Sequence, residues 1–218
     1  MKYPVLILNL KVYEEATGEN AVRKAKAAEL VSQESGINII VAVSAPDIYR
    51  VSKAVKIPVF AQHVDGNPPG AFTGSVTPEA IRSAGGAGSL INHSEKTLLL
   101  SQIKSAVQRC KNAGLTAVVC AEDDKEAITM ASCGPDMVAI EPRELVSGNV
   151  SVTDAKPDII ANAARKVRIP LLCGAGVKTA RDVKKAMELG CKGVLVASGF
   201  AKAEDPLEYL RDLVTGFG

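Results

Sequence analysis

Four ionisable side chains stand at three widely separated points of this chain of 218 residues, each just beyond a short apolar run. Lys11 follows Val5–Leu8, with Asn9 beside it. His93 and Glu95 lie in Asn92-His93-Ser94-Glu95, after Gly88–Ile91. Glu141 opens Glu141-Pro142, after Met137–Ile140. An ammonium, an imidazole and a carboxylate together supply charge, an electrophile and a base. Moving a proton beside a carbonyl needs that set, and a carboxylate shielded from water can have its pKa raised toward neutrality for the task. Two further runs, Ile169–Cys173 and Gly193–Val196, end in the small residues Gly174-Ala175-Gly176 and Ala197-Ser198-Gly199. Backbone N–H groups in such turns can approach an anion closely.

Each feature also has an ordinary explanation. Lys11 could be a solvated lysine, His93 could cap a helix beginning near Ser94, and Glu141-Pro142 could simply end a strand. Together they all fall at the same end of their apolar runs, which coincidence explains poorly.

The elements that must position them follow from the rhythm of the chain. Besides the five runs named, Ile37–Val43, Ile57–Ala61 and Thr116–Cys120 complete a set of eight. Most are continuous rather than alternating, as strands buried on both faces read. Helical signals lie between them. Ala21, Val22, Ala25, Ala28 and Val31 keep a helical spacing up to Gly36, and Ile103, Val107 and Cys110 do so up to Gly114. Thr77-Pro78 and Asp205-Pro206 each place a cap residue before a proline suited to the first helical turn.

Eight units share the 218 residues at about 27 each, while a strand, a helix and two connections need roughly 24. Strand–helix alternation implies right-handed crossovers and a parallel sheet. The expected fold is therefore a single α/β domain over residues 1–218, a (β/α)8 barrel with a closed parallel eight-stranded sheet. Side chains at the carboxyl ends of its strands converge on one mouth. An open doubly wound sheet would carry G-x-G-x-x-G after the first strand, where this chain reads Leu8-Asn9-Leu10-Lys11.

Composition narrows the partners. Hydrophobic residues make up 47% and charged ones 23%, and the 26 basic and 24 acidic side chains leave a net charge of +2. Without a basic patch, nucleic acid is not an expected partner. No apolar run reaches the roughly 20 residues that span a bilayer, and Met1-Lys2-Tyr3-Pro4 does not read as a signal peptide. The expectation is a soluble cytoplasmic protein. Five cysteines without C-x-x-C spacing argue against a disulfide framework or thiolate zinc site. His63, the other histidine, has no second His or Cys at ligand spacing and is read as structural.

At these motifs the chain resembles triosephosphate isomerase of the short archaeal type, over nearly its whole length. Asn9-Leu10-Lys11 is similar to the family's N-x-K, Asn92-His93-Ser94-Glu95 to its H-S-E and Ala139-Ile140-Glu141-Pro142 to its A-x-E-P. Cys173-Gly174-Ala175-Gly176 is similar to C-G-A-G, and Leu195–Gly199 to the last phosphate loop. The resemblance implies a TIM barrel interconverting dihydroxyacetone phosphate and D-glyceraldehyde 3-phosphate, in glycolysis and gluconeogenesis, with no cofactor and no metal. It makes Glu141 the base, His93 the electrophile and Lys11 the cation that steadies the enediolate. Asn9 contacts substrate and Glu95 supports the site. Backbone groups of Val146, Gly176, Ala197 and Ser198 hold the phosphate, and Pro142–Thr153 forms a closing loop. It implies a neutral imidazole kept so by a helix N-terminus, a device for which this family is itself the standard instance. It also implies a homotetramer built from dimers, or a homodimer. Cys173 stands where many members have a Tyr, Pro142-Arg143-Glu144 lacks the common Trp, and Lys96 replaces an arginine. A metal-dependent pentulose-phosphate epimerase would need several metal ligands at the strand ends. A silent phosphate-binding barrel would not need Lys11, His93 and Glu141 together.

Overall fold

Strand and helix alternate along the chain, as the apolar rhythm predicts. The structure, a computed structural model, describes residues 2–145 and 151–218. Among these lie eight strands: β1 (Val5–Asn9), β2 (Asn38–Val43), β3 (Val59–Ala61), β4 (Gly88–Ile91), β5 (Thr116–Ala121), β6 (Met137–Ile140), β7 (Leu171–Cys173) and β8 (Gly193–Val196). They pair in parallel in sequence order, and β8 returns to β1 to close a barrel. Closure sets Val5 opposite Gly193, where a Cβ would lie 2.0 Å from the Val5 carbonyl oxygen. Only glycine fits there.

The continuous apolar strands are explained by two separate layers. Side chains such as Val5, Ile7, Ile40, Phe60, Leu90 and Leu195 form a cluster made of strand residues alone, the filling of the barrel. Their neighbours Leu6, Leu8, Ile39 and Val41 belong to a second cluster with the surrounding helices. Both faces of each strand are buried, so polar residues are rare within strands. Ser89, buried inside β4, donates its hydroxyl to the Leu90 carbonyl, and the ionisable groups stand just past the strand ends.

The helices are α1 (Glu19–Ser35), α2 (Ile48–Ala54), α3 (Pro78–Ser83), α4 (Leu100–Asn112), α5 (Asp124–Ala131), α6 (Val152–Ala155), α7 (Pro157–Lys166), α8 (Ala180–Glu188), α9 (Ser198–Ala201) and α10 (Pro206–Val214). The sequence signals do what their chemistry suggests. Thr77 accepts from the Ala80 N–H to start α3, and Asp205 accepts from Leu207 and Glu208 to start α10. Gly36 takes φ 72° beyond α1 and returns its N–H to Ser32.

Three expectations are corrected. The third and seventh strands start later than Ile57 and Ile169, because Pro58 and Pro170 have no N–H to give the ladder; their carbonyls still accept from Val41 and Val138. Connections are not uniformly short, since residues 62–77 separate β3 from α3. No helix begins near Ser94. Residues 94–96 form a single turn, closed by Lys96 N–H to His93 O at 2.7 Å, and α4 starts only at Leu100, after the Leu99 N–H is taken by Gln102.

Candidate active site

Asn9 ends β1 and is buried, and its Oδ1 accepts the Lys11 N–H at 3.1 Å. That bond draws the backbone into a tight reversal in which Lys11 has φ 51°, a left-handed conformation costing roughly 1–2 kcal/mol in a residue with a Cβ. Gln62, just past β3, holds the reversal from the other side by donating to the Lys11 carbonyl at 2.8 Å and to Ala42 O at 3.2 Å. Gln62 escaped the residue-type search because it is neutral; the rule that site residues follow strand ends would have found it. Lys11 is thereby only 7% exposed, and its Nζ pairs with Glu95 Oε1 at 2.7 Å. The solvated reading of Lys11 is wrong.

His93 is aimed inward by its neighbour. Asn92, at φ 61°, donates through Nδ2 to Cys120 O at 3.1 Å and accepts the Leu98 N–H at 2.9 Å, which pins the turn after β4 to β5. The Glu95 N–H donates to His93 Nδ1 at 3.2 Å. Nδ1 is thus the acceptor and the ring proton sits on Nε2. In place of the expected helix terminus, one amide of a turn sets the tautomer. Ser94 caps nothing, and its buried Oγ has no hydrogen-bond partner.

Glu141 Oε2 lies 3.5 Å from His93 Nε2, with both side chains buried. Neither atom makes a hydrogen bond. Gly174 makes room for this carboxylate: a Cβ there would come within 2.4 Å of Glu141 Cγ and 2.9 Å of its Oε1. Burial pushes the Glu141 pKa up, but His93, the Cys120 thiol and Lys11 outweigh it and hold it below the usual carboxylate value. The shielding expected to raise it is present and loses to the groups facing it. Burial pushes His93 down, and Glu141 and Glu95 more than reverse this. Glu141 is therefore ionised at neutral pH.

The opposite side of the mouth carries few side chains. Ala175 and Gly176 have φ 55° and 73°, and the Ala175 carbonyl accepts the Val152 N–H at 3.2 Å. Ala197 caps α9, and the amides of Phe200 and Ala201 return to its carbonyl. The first amides of that turn have no partner within it. Tyr209 ties the two turns together, donating to Lys178 O at 3.0 Å while its Oη occupies the place a Cβ on Gly199 would need. Gly176, Ala197 and Ser198 thus lie on the same rim as Asn9, Lys11, His93, Glu95 and Glu141. Val146 and the middle of the Pro142–Thr153 segment lie outside the described residues.

Among the described residues no group of three or more His, Cys, Asp or Glu is placed to hold a metal ion. His63 pairs with Asp65 at 3.1 Å, in keeping with its structural reading. Cys110, Cys120, Cys173 and Cys191 are buried. No helix of the described residues is long and apolar enough to cross a membrane.

A closed (β/α)8 barrel with a buried acid–base pair at the carboxyl ends of its strands belongs to the class of barrel enzymes that move protons on small substrates. Comparison with known proteins makes this specific. The family model described as triosephosphate isomerase matches residues 4–215. The triosephosphate isomerase of Methanosarcina barkeri is 43% identical over 219 residues, covering 98% of this chain and 99% of the relative. That of Methanobrevibacter smithii is 43% identical over 220 residues, covering 99% of each. The crystal structure of triosephosphate isomerase from Bartonella henselae shares the fold, with a TM-score of 0.77 over 96% of this chain and 98% of its own, at 20% identity. The chain belongs to the triosephosphate isomerase family, and it is an isomerase.

Proposed function

We propose that this isomerase interconverts dihydroxyacetone phosphate and D-glyceraldehyde 3-phosphate by proton transfer through an enediolate, with Glu141 as the base. The observation that carries the reading is the Glu141–His93 pair. A buried carboxylate faces an imidazole at 3.5 Å, and the ring's other nitrogen is occupied by the Glu95 amide. A substrate set between them meets both at once. Glu141 takes a proton from one carbon and returns it to the next. His93 Nε2–H donates to the carbonyl oxygen as charge gathers there, and one such donor is worth about 3 kcal/mol of barrel-bound transition-state stabilisation. Lys11 places a positive charge beside the same oxygen, held by Glu95 and by the reversal that Asn9 shapes.

The phosphate rests on backbone amides of Gly176, Ala197 and Ser198, and the resemblance to the family adds Val146 to this set. Small residues let it approach, and the first amides of α9 face it. No step calls for a metal or organic cofactor. The working unit is one domain over residues 1–218 in the cytoplasm, as a homodimer or homotetramer. Exposed Val12, Tyr49, Phe72 and Leu99, in segments that follow the carboxyl ends of β1 to β4, support an assembled form.

A coupled assay on D-glyceraldehyde 3-phosphate, with and without chelator, tests the reading. Equal turnover in both arms is expected. Absence of turnover in both arms would overturn the proposed reaction, and loss with chelator alone would mean that a metal ion takes part in it.

A further inference from the structure

One lysine of α1 lies on the face that the helix buries. Lys24 falls between Ala21 and Ala28 on the stripe packed against the barrel, and it is 2% exposed. Its Nζ donates to the carbonyl oxygens of Phe200 at 3.1 Å and Ala203 at 3.0 Å. It also stands 5.4 Å from the centre of the Phe200 ring, within cation–π range. These contacts join the first crossover helix to the segment after the last strand. They therefore do nothing to form α1 itself. Burying an ammonium is costly unless oxygens replace its water, and an apolar side chain such as methionine would fill the stripe at less expense.

What the charge adds is found at its far end. Phe200 lies in α9, and Ala203 just beyond it. The backbone of such a turn points its first N–H groups one way and its last carbonyls the other. Fixing the carbonyl end from below fixes the direction of the amide end, and a cation at that end also favours the alignment of the peptide dipoles. On the other flank Tyr209 packs against Gly199 and holds Lys178 O. The turn is thus clamped from two sides, and on one of them by a buried charge.

We propose that Lys24 is a positioning residue for the substrate phosphate, acting through the carbonyls of Phe200 and Ala203 to hold the amides of the α9 turn in their binding orientation. This rests on the phosphate placement proposed above, so the experiment separates the two. Inhibition by 2-phosphoglycolate is measured for wild type, Lys24→Met, Lys24→Gln, Lys24→Arg and Ser198→Asp, beside a thermal melt and steady-state kinetics.

Lys24→Met should raise the inhibition constant at least about fivefold and raise KM, with kcat within about twofold of wild type. Its turnover of unphosphorylated D-glyceraldehyde should not change. Lys24→Arg, which can reach both carbonyls, should bind the inhibitor nearly as wild type does. If Lys24→Met does not fold, Lys24→Gln reads the same constant with donors but no charge. A lower melting temperature with unchanged inhibition overturns the proposal. So does failure of all three Lys24 variants to fold, which would make the lysine a requirement of the barrel instead. If Ser198→Asp binds 2-phosphoglycolate like wild type, the phosphate placement itself fails; if only Ser198→Asp weakens binding, the role of Lys24 alone is lost.

Discussion

The ends of β1, β4 and β6 carry side chains that meet across the mouth, whereas the ends of β7 and β8 carry almost none. On the first side Lys11, Glu95, His93 and Glu141 form a chain of contacts at 2.7, 3.7 and 3.5 Å. On the second, Gly174-Ala175-Gly176 and Ala197-Ser198-Gly199 present backbone. Each side needs a different kind of support. The charged side is held by polar neutral residues, Asn9, Gln62 and Asn92, that fix backbone reversals and so aim the long side chains. The small-residue side is held from behind, by Lys24 and Tyr209 reaching backbone carbonyls. Gly174 links the two sides, since its missing Cβ gives Glu141 its place. Chemistry that changes charge requires placed side chains, while holding a preformed anion requires only close, oriented amides.

The sharpest way to break this contrast is to remove the base. Glu141→Gln keeps shape and loses the proton acceptor, so kcat should fall about 10²–10⁴-fold or more while inhibitor binding stays within a few-fold. His93→Gln should lose somewhat less, roughly 2–4 kcal/mol of transition-state stabilisation. Retention of half the wild-type kcat by the Glu141 variant would end its assignment as base.

The small-residue side should answer in the opposite currency, affinity rather than turnover. Ser198→Asp brings a carboxylate to the phosphate and should weaken 2-phosphoglycolate at least about tenfold, close to 1.4 kcal/mol. Ser198→Ala should bind it like wild type, because the contact is through the backbone. Isothermal titration of both variants decides it; equal losses in the two would mean that the hydroxyl does the binding.

The smallest effect concerns stability and pH. His93 is raised above 6.5, so what it contributes is complete below 6.5 and fades as pH rises through its folded value. Glu141 is lowered below 4.5, so its contribution is complete above 4.5 and fades as pH falls through its folded value. Both are complete only between 4.5 and 6.5. Denaturant unfolding of wild type and His93→Gln across pH should show their largest difference in that window. A difference that does not vary with pH would mean that the two groups do not interact across the mouth.

The barrel was legible in the sequence because a strand buried on both faces must be apolar throughout, and eight such runs recur at near-even spacing. The candidate site side chains were legible too, since Lys11, His93 and Glu141 stand just past the ends of doubly buried strands. Several features were not. The late starts of β3 and β7 depend on which prolines face a partner strand. The length of the path from β3 to α3 departs from the even spacing of the other units, although Thr77-Pro78 marks its end. The resemblance implies a helix N-terminus that keeps His93 neutral, but no helix begins there; its tautomer is set by the Glu95 amide, which only the folded turn brings to Nδ1. The same holds for the pKa of Glu141, where burial and its partners pull in opposite directions and distance decides between them. Lys24 shows the limit most plainly. From sequence it is one charged residue on a helix, and its contacts lie 176 and 179 residues away. Residue type and spacing determined the fold and the candidate site groups, because both follow from local burial and chemistry. How those groups are held, and which protonation state each keeps, was decided by contacts that exist only once the barrel has closed.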